Sequence, residues 1–127
     1  MNISRSISKI KKKADSVFST YIRNKYAVNG YVMCVTCGIL KPPKKMQAGH
    51  YIPRNILSTR YYEKNVHPQC YGCNVCKNGA KDNYALYLIS QYGDGILEEL
   101  AIRKNMTVKF TYTDYEEMIR GWKCQTE

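Results

Sequence analysis

Two Cys-x2-Cys pairs constrain this chain more than any other feature: Cys34-Val-Thr-Cys37 and Cys70-Tyr-Gly-Cys73. Their spacing is that of a structural zinc site with four thiolate ligands. A metal held across them closes a loop around Gly49-His50 and Asn65, with Asn74 directly after the last cysteine and Lys77 three residues on. Cys76 offers a third candidate for two places at the metal. Cys70 and Cys73 are preferred because they form a knuckle just before a helix. Cys76 then becomes a small buried thiol on the first helical turn, and Cys124 a free structural cysteine. Two such pairs point strongly to zinc and weakly to what the zinc serves, since zinc ribbons and treble clefs use the same arrangement.

The chain has 127 residues and six cysteines. That length suggests one domain, 1–127, with a modest core that a metal staple helps to hold. The charged start, MNISRSISKIKKK, lacks the apolar stretch of a signal peptide, and no apolar run is long enough to span a bilayer. A reducing cytoplasm is the expected setting, where paired cysteines bind metal more often than they form disulfides. Net charge is +10 and uneven: +6 over residues 1–30, +7 over 31–81 and −3 over 82–127. The basic two-thirds carries every motif residue, which suits a polyanionic partner. Charge alone fits a soluble basic surface equally well; the cysteine layout tips the balance.

Three stretches follow. Over 1–30, Ile3, Ile7, Ile10, Ala14, Val17 and Tyr21 recur at spacings of four and three, which predicts an amphipathic helix over 4–27 capped by Ser4 or Ser6. Packing on its own domain is the favoured role for that stripe; a dimer seam and a DNA-contacting basic face, with Lys11, Lys12 and Lys13, are the sharper ones. Over 31–81 the expectation is a zinc-bound core: a knuckle at 31–40 and a rigid basic loop at 41–45 with Lys44 and Lys45. A strand from Met46 to Ile52, a polar connection at 54–60 that includes Arg54, and a return strand over 61–66 ended by Pro68 then follow. A helix begins at Cys73. Over 82–127 the expectation is helical: one helix from Asp82, a second capped by Asp94 and running to about Lys104, and a last one opened by the capping box Thr113-Asp-Tyr-Glu116. Residues 106–112 read as a short strand or an extended link.

Several polar residues admit a chemical role beside a plain one. His50 follows a glycine at a strand end inside the stapled loop; a lone histidine is more often structural, but a neutral imidazole here suits a general base that takes a proton from water. Asn65 orients His50 or ties the intervening loop, against the common turn asparagine. Asn74 is an N-cap or an amide oxygen ligand for a hard divalent ion such as Mg²⁺. Lys77 is a phosphate contact or a solvated lysine. If 65–67 is extended, His67 shares a face with Asn65; a second metal ligand and a structural hydrogen-bonding role are then about equally weighted.

These residues, from Cys34–Cys37 through Ala48-Gly49-His50-Tyr51, Asn65-Val66-His67 and Gln69-Cys70 to Lys77-Asn78-Gly79, resemble the phage NinG (Rap) recombination nucleases, of the HNH or ββα-metal type. The likeness extends to Ala14-Asp15 and Phe18 to Arg23 in the basic helix and to the last helix. It implies an α+β fold, with a zinc-stapled, treble-clef-like ββα-metal core between an N-terminal basic helix and C-terminal helices. It implies a metal-dependent endonuclease that cuts branched recombination intermediates such as D-loops and Holliday junctions and leaves a 5′ phosphate. His50 would be the catalytic histidine, Asn74 a ligand of catalytic Mg²⁺ or Mn²⁺, and Cys34, Cys37, Cys70 and Cys73 the zinc ligands. Branched or single-stranded DNA is the implied partner; a homodimer would suit paired nicks, and phage or host recombination proteins are further partners to expect. Two departures stand out: Gly49 occupies a place where many HNH enzymes carry Asp, and Cys76 a place where a polar residue or histidine is expected. The alternatives are a non-catalytic zinc module that binds nucleic acid and an HNH nuclease for ordinary duplex.

Overall fold

The computed structural model describes residues 3–126, with side chains from Ser6 onward. Helix α1 (Ile3–Lys25) leads into two small antiparallel pairs, β1 (Val32–Met33) with β2 (Leu40–Lys41), and β3 (Gln47–His50) with β4 (Val66–Gln69). The short helix α2 (Leu57–Arg60) lies between β3 and β4. Helices α3 (Lys81–Tyr92), α4 (Ile96–Lys104) and α5 (Tyr112–Thr126) complete the chain. The result is the expected α+β fold, a ββα-metal-like core stapled by four cysteines and flanked by helices.

The apolar stripe of α1 is used within the chain. Ile10, Ala14, Phe18, Tyr21 and Ile22 pack against Val66 of β4 and Tyr115, Ile119 and Trp122 of α5, with Ile7 and Val17 at the margin. That contact covers the face proposed as a dimer seam. Ile3 and Ser4, the expected start of the stripe and one of the two candidate caps, have side chains outside the described residues; Ser6, the other candidate, lies inside α1 and not at its start. A second cluster joins Val32 and Met46 to the cysteines, and a third packs Tyr84 and Leu88 of α3 against Ile96 and Leu100 of α4. Among the described residues no helix is long and apolar enough to cross a membrane.

Four local expectations are corrected, and a fifth, left open between two readings, is settled. The return strand is β4 at Val66–Gln69, not 61–66, and Pro68 lies inside it, opposite Ala48. Proline is tolerated because the pair has only two strands, so its missing N–H is not needed on the open side; the Pro68 carbonyl accepts from Val35 N–H at 3.0 Å. Residues 57–60 form a helix where only a polar connection was expected. Asp94 makes no side-chain cap; Gly95 occupies the N-cap of α4. The capping box of α5 sits two residues early: Asp114 N–H donates to Thr111 Oγ1 at 3.1 Å, and Thr111 N–H to Asp114 Oδ2 at 2.8 Å. Residues 107–111 are irregular rather than a strand.

Candidate metal centre and adjoining cleft

The β1–β2 hairpin presents Cys34 and Cys37. Gly38, at φ +81°, supplies the left-handed turn that returns the chain, with Gly38 N–H on the Cys34 carbonyl and Cys34 N–H on Ile39, both 2.9 Å. The second pair leads into a π-helical turn, Gly72–Cys76, and Cys73 N–H reaches Cys70 Sγ at 3.5 Å. The sulfurs of Cys34, Cys37, Cys70 and Cys73 all lie within 4.8 Å of one another. A tetrahedral ion with Zn–S bonds of about 2.3 Å sets sulfurs roughly 3.8 Å apart, and Cys37 and Cys70 stand at 3.7 Å. The donor set and its size fit zinc. Cys76 is exposed and outside this cluster, not the buried thiol expected, and Cys124 is exposed on α5.

Beside the staple, α1, β3 and the turn after Cys73 enclose a cavity of about 590 Å³. His50, Asn74 and Arg54 line it together with Asp15, Arg23, Gln47 and Lys81. His50 Nε2 lies 2.9 Å from the Arg60 carbonyl. A carbonyl only accepts, so Nε2 carries the proton and Nδ1 keeps its lone pair. Burial lowers the His50 pKa below the ordinary histidine value; the backbone hydrogen bonds to Arg60 and Ala48 oppose it, the positive charges of Arg54 and Arg60 assist it, and the net shift is down. The imidazole is therefore neutral at pH 7.

The Arg60 carbonyl is itself held. Arg60 grips Asp15 with two bonds, Nε to Oδ1 at 2.9 Å and Nη2 to Oδ2 at 2.5 Å, while its Nη1 donates to the Arg54 carbonyl at 2.8 Å. Tyr61 donates to the same carboxylate at 2.7 Å. Burial raises the Asp15 pKa, but these bonds outweigh it and the net shift is down, so Asp15 is ionised at neutral pH. From below, Lys81 Nζ donates to the carbonyls of His50 (2.8 Å) and Tyr51. Lys81 gets there through three consecutive positive-φ residues, Asn78, Gly79 and Ala80. A left-handed alanine costs about 1–2 kcal/mol, and strain of this kind collects at functional sites.

Asn65 is fully buried and ties the loop rather than meeting His50. Its Oδ1 accepts from Ile52 N–H at 2.8 Å, and its Nδ2 donates to the carbonyls of Ile52 and Thr59, each at 3.1 Å. It holds the loop that carries Arg60. Asn74 gives its amide N–H to Gln47 Oε1 at 2.6 Å and keeps Oδ1 as its second polar atom. Lys44, Lys45 and Lys77 are exposed but do not line the cavity. Lys12 falls on the α1 face of Asp15 and Ser19, whereas Lys13 lines a different groove.

His67 does not join the site. The register pairs His50 with Val66 and Gly49 with His67, and strand alternation puts the two imidazoles on opposite faces. Of the two roles weighed for His67, the site-facing one needed residues 65–67 extended, but Asn65 ends a 3-10 turn, Glu63–Asn65; the structural hydrogen-bonding role is the one the contacts match. Tyr84 donates its one hydroxyl proton to the Gly49 carbonyl at 2.6 Å, so His67 Nδ1–H must donate to Tyr84 Oη (3.0 Å) and Nε2 must accept from Tyr92 (2.7 Å). Burial holds the His67 pKa down to about 4. His67 is a neutral strut between β4 and α3.

Gly49 is buried under Gln69. A Cβ there would stand 2.6 Å from Gln69 Cδ, 2.8 Å from Cγ and closer still to Oε1. The Gln69 amide fills the space that a side chain at position 49 would need.

Sequence reasoning missed Asp15, Arg60, Tyr61 and Lys81. Asp15 carried one usable signal: it is the one acid among residues 1–30.

A ββα-metal-like core with a four-cysteine staple beside a cationic, histidine-bearing cleft defines an HNH-type protein. Comparison with known families takes this further: residues 2–127 match the family described as Bacteriophage Lambda NinG protein, and the chain belongs to that NinG family. It is 32% identical over 106 residues to Protein ninG of Escherichia phage lambda, covering 76% of this chain and 52% of that protein. It is 31% identical over 106 residues to its counterpart in Escherichia phage 933W, with the same coverage of 76% and 52%. Identity to Protein ninG of Salmonella phage P22 is 32% over 101 residues, 72% of this chain and 49% of that protein. The chain thus spans about half the length of the curated relatives it matches. No solved structure matches it.

Proposed function

We propose that the chain is a metal-dependent DNA endonuclease in which His50 is the general base. The observation that carries this reading is the imidazole itself: neutral, its Nε2–H committed to the Arg60 carbonyl, its Nδ1 left to take a proton, in a cleft lined by Arg23, Arg54 and Lys81. Those cations suit a phosphodiester. Water that loses a proton to Nδ1 attacks phosphorus while the arginines hold the phosphate oxygens. Zinc at the four cysteines is structural. The amide oxygen of Asn74 is the donor that the cleft offers a hard ion, and bound Mg²⁺ or Mn²⁺ would stabilise charge on the leaving oxygen. Asp15, the one carboxylate lining the cleft, is occupied by Arg60 and Tyr61, so the ion's other ligands must come from phosphate and water. Lys11, Lys12, Lys44, Lys45 and Lys77 supply backbone contacts outside the cleft. Branched recombination intermediates are the proposed substrate, with a homodimer and recombination proteins as proposed partners and the host cytoplasm as the setting.

That thin donor set is the observation that favours a second reading, a zinc module that binds nucleic acid without cutting it. The deciding experiment incubates labelled junction, D-loop and linear DNA with Mg²⁺, Mn²⁺ or chelator, beside His50→Ala. Metal-dependent cutting lost in the variant, with binding kept, is expected. The acid limb of kcat/KM should lie below the ordinary histidine pKa of about 6.5, since activity is lost only as pH falls through a lowered value. Binding with no cutting in any metal supports the second reading, and equal cutting of linear duplex removes the branched-substrate proposal.

A further inference from the structure

Across α1 from the cleft lies a second groove of about 460 Å³, walled by α1 and α5. Lys9 and Lys13 face Arg120 and Lys123 over a floor that includes Ile10 and Ile119. All four cations are exposed, and none makes an ion pair among the described residues. Glu116 is the one acid in the lining. The C-terminal stretch is acidic overall, yet α5 turns the positions i, i+3, i+4 and i+7 from Glu116 toward the lysines, so its few cations gather where positive charge is already present. Like charges brought together destabilise the isolated chain, and an anionic occupant removes that repulsion.

We propose that this groove holds the phosphate backbone of DNA at a site separate from the cleft. The proposal rests on the nucleic-acid reading above. The two sites cannot be one track. Groove positions 6, 9, 10 and 13 and cleft positions 15, 18, 19 and 23 of α1 lie about 14 Å apart along the axis and roughly 150° apart around it. A strand seated in the cleft leaves Lys9, Lys13, Arg120 and Lys123 for a different segment of nucleic acid. A phosphodiester backbone is favoured over an acidic protein surface, because four exposed cations around two buried isoleucines, with Tyr112 the one exposed apolar residue in the lining, offer much charge and little apolar area.

The test compares the full chain with a variant carrying Lys9→Ala, Lys13→Ala, Arg120→Ala and Lys123→Ala. Binding to a labelled duplex is followed by anisotropy against salt, without added divalent ion. Each phosphate contact contributes about 0.9 to the slope of log K on log salt. The variant should lose roughly 3 to 4 from that slope and bind at least about tenfold more weakly at 0.1 M salt. A charge-keeping variant, Lys9→Arg with Lys13→Arg, Arg120→Lys and Lys123→Arg, should keep both, which separates charge from folding. Hydrolysis of bis(p-nitrophenyl) phosphate, small enough to need only the cleft, should be unchanged in both variants. An unchanged slope overturns the proposal even if cleavage is intact. A lost slope in a chain that never cuts keeps the groove and removes the nuclease reading. Binding of polyglutamate that the alanines abolish, beside an unchanged DNA slope, reassigns the groove to an acidic protein.

Discussion

Gly49→Ala should unfold this domain at a markedly lower temperature, although it adds one methyl group to a strand. The new Cβ would meet Gln69 Cδ at 2.6 Å, inside van der Waals contact. Gln69 cannot swing away without loss: it is fully buried, and its Nε2 donates to the Gly79 carbonyl at 2.9 Å and to Thr36 Oγ1 at 3.1 Å. Overpacking a close-packed site costs about 1–3 kcal/mol, and stranding a buried hydrogen-bonding group costs about 1–3 kcal/mol more. A total near 3–4 kcal/mol is a large share of a stability of about 5–15 kcal/mol. At about 4 °C per kcal/mol, Tm falls by roughly 10–15 °C. Thermal unfolding of the zinc-loaded chain reads this directly. The stronger check is a cycle with Gln69→Ala. Removing Gln69 makes room, so Gly49→Ala in that background should cost about 1 kcal/mol or less, a coupling of about 2 kcal/mol or more. Additive effects, or a single variant that melts within about 2 °C of the parent, would refute the packing account of why glycine stands where many HNH enzymes carry Asp.

Cys34→Ser should bind less than one zinc per chain by elemental analysis and lose tertiary structure, because Cys34, Cys70 and Cys73 form the second apolar cluster with Val32 and Met46; full metal content with unchanged melting would rule out Cys34 as a ligand. Asp15→Asn should lower kcat about tenfold with little change in KM, since it loosens the Arg60 clamp whose carbonyl accepts the hydrogen bond from His50 Nε2–H. Nitrogen NMR of the His50 ring should then show a mixture of tautomers, and Asp15→Glu should recover part of the rate; a single Nε2–H tautomer with parental kcat would refute the positioning role.

The parts legible in the sequence are those fixed by short-range chemistry. The cysteine spacing gave the staple, because a tetrahedral ion accepts few geometries. The stripe from Ile7 to Tyr21 gave α1, because burial of one helix face has a fixed period. His50 at a strand end followed from its neighbours; that Arg54 shares a cleft with it did not, since residues 54–60 read only as a polar connection. Other features depend on partners distant in sequence. Pro68 reads as a strand terminator until β4 is seen to pair on one side only. His67 reads equally well as a ligand or as a structural hydrogen-bonding residue until the register sets it opposite Gly49, among tyrosines of α3. The cap of α5 is a local miss instead: Thr111 and Asp114, three residues apart, reciprocate, where Thr113 and Glu116 do not.

Asp15 marks the deepest limit, and it also shows how the domain is organised. Being the one acid among residues 1–30 marks Asp15 as unusual, but nothing local names its partner, since Arg60 is 45 residues away. Yet that pair joins α1 to the loop that Asn65 ties, and the loop presents the carbonyl that fixes the His50 proton. The N-terminal helix is therefore part of the site's support and not an appended basic arm. An isolated core, residues 31–81, would keep the cysteines, His50 and Asn74 but lose the carboxylate that locks Arg60. It would also lose the α1 face that covers Val66. Zinc alone can bring the two Cys-x2-Cys segments together; holding His50 in one tautomer at the edge of the cleft requires α1 as well.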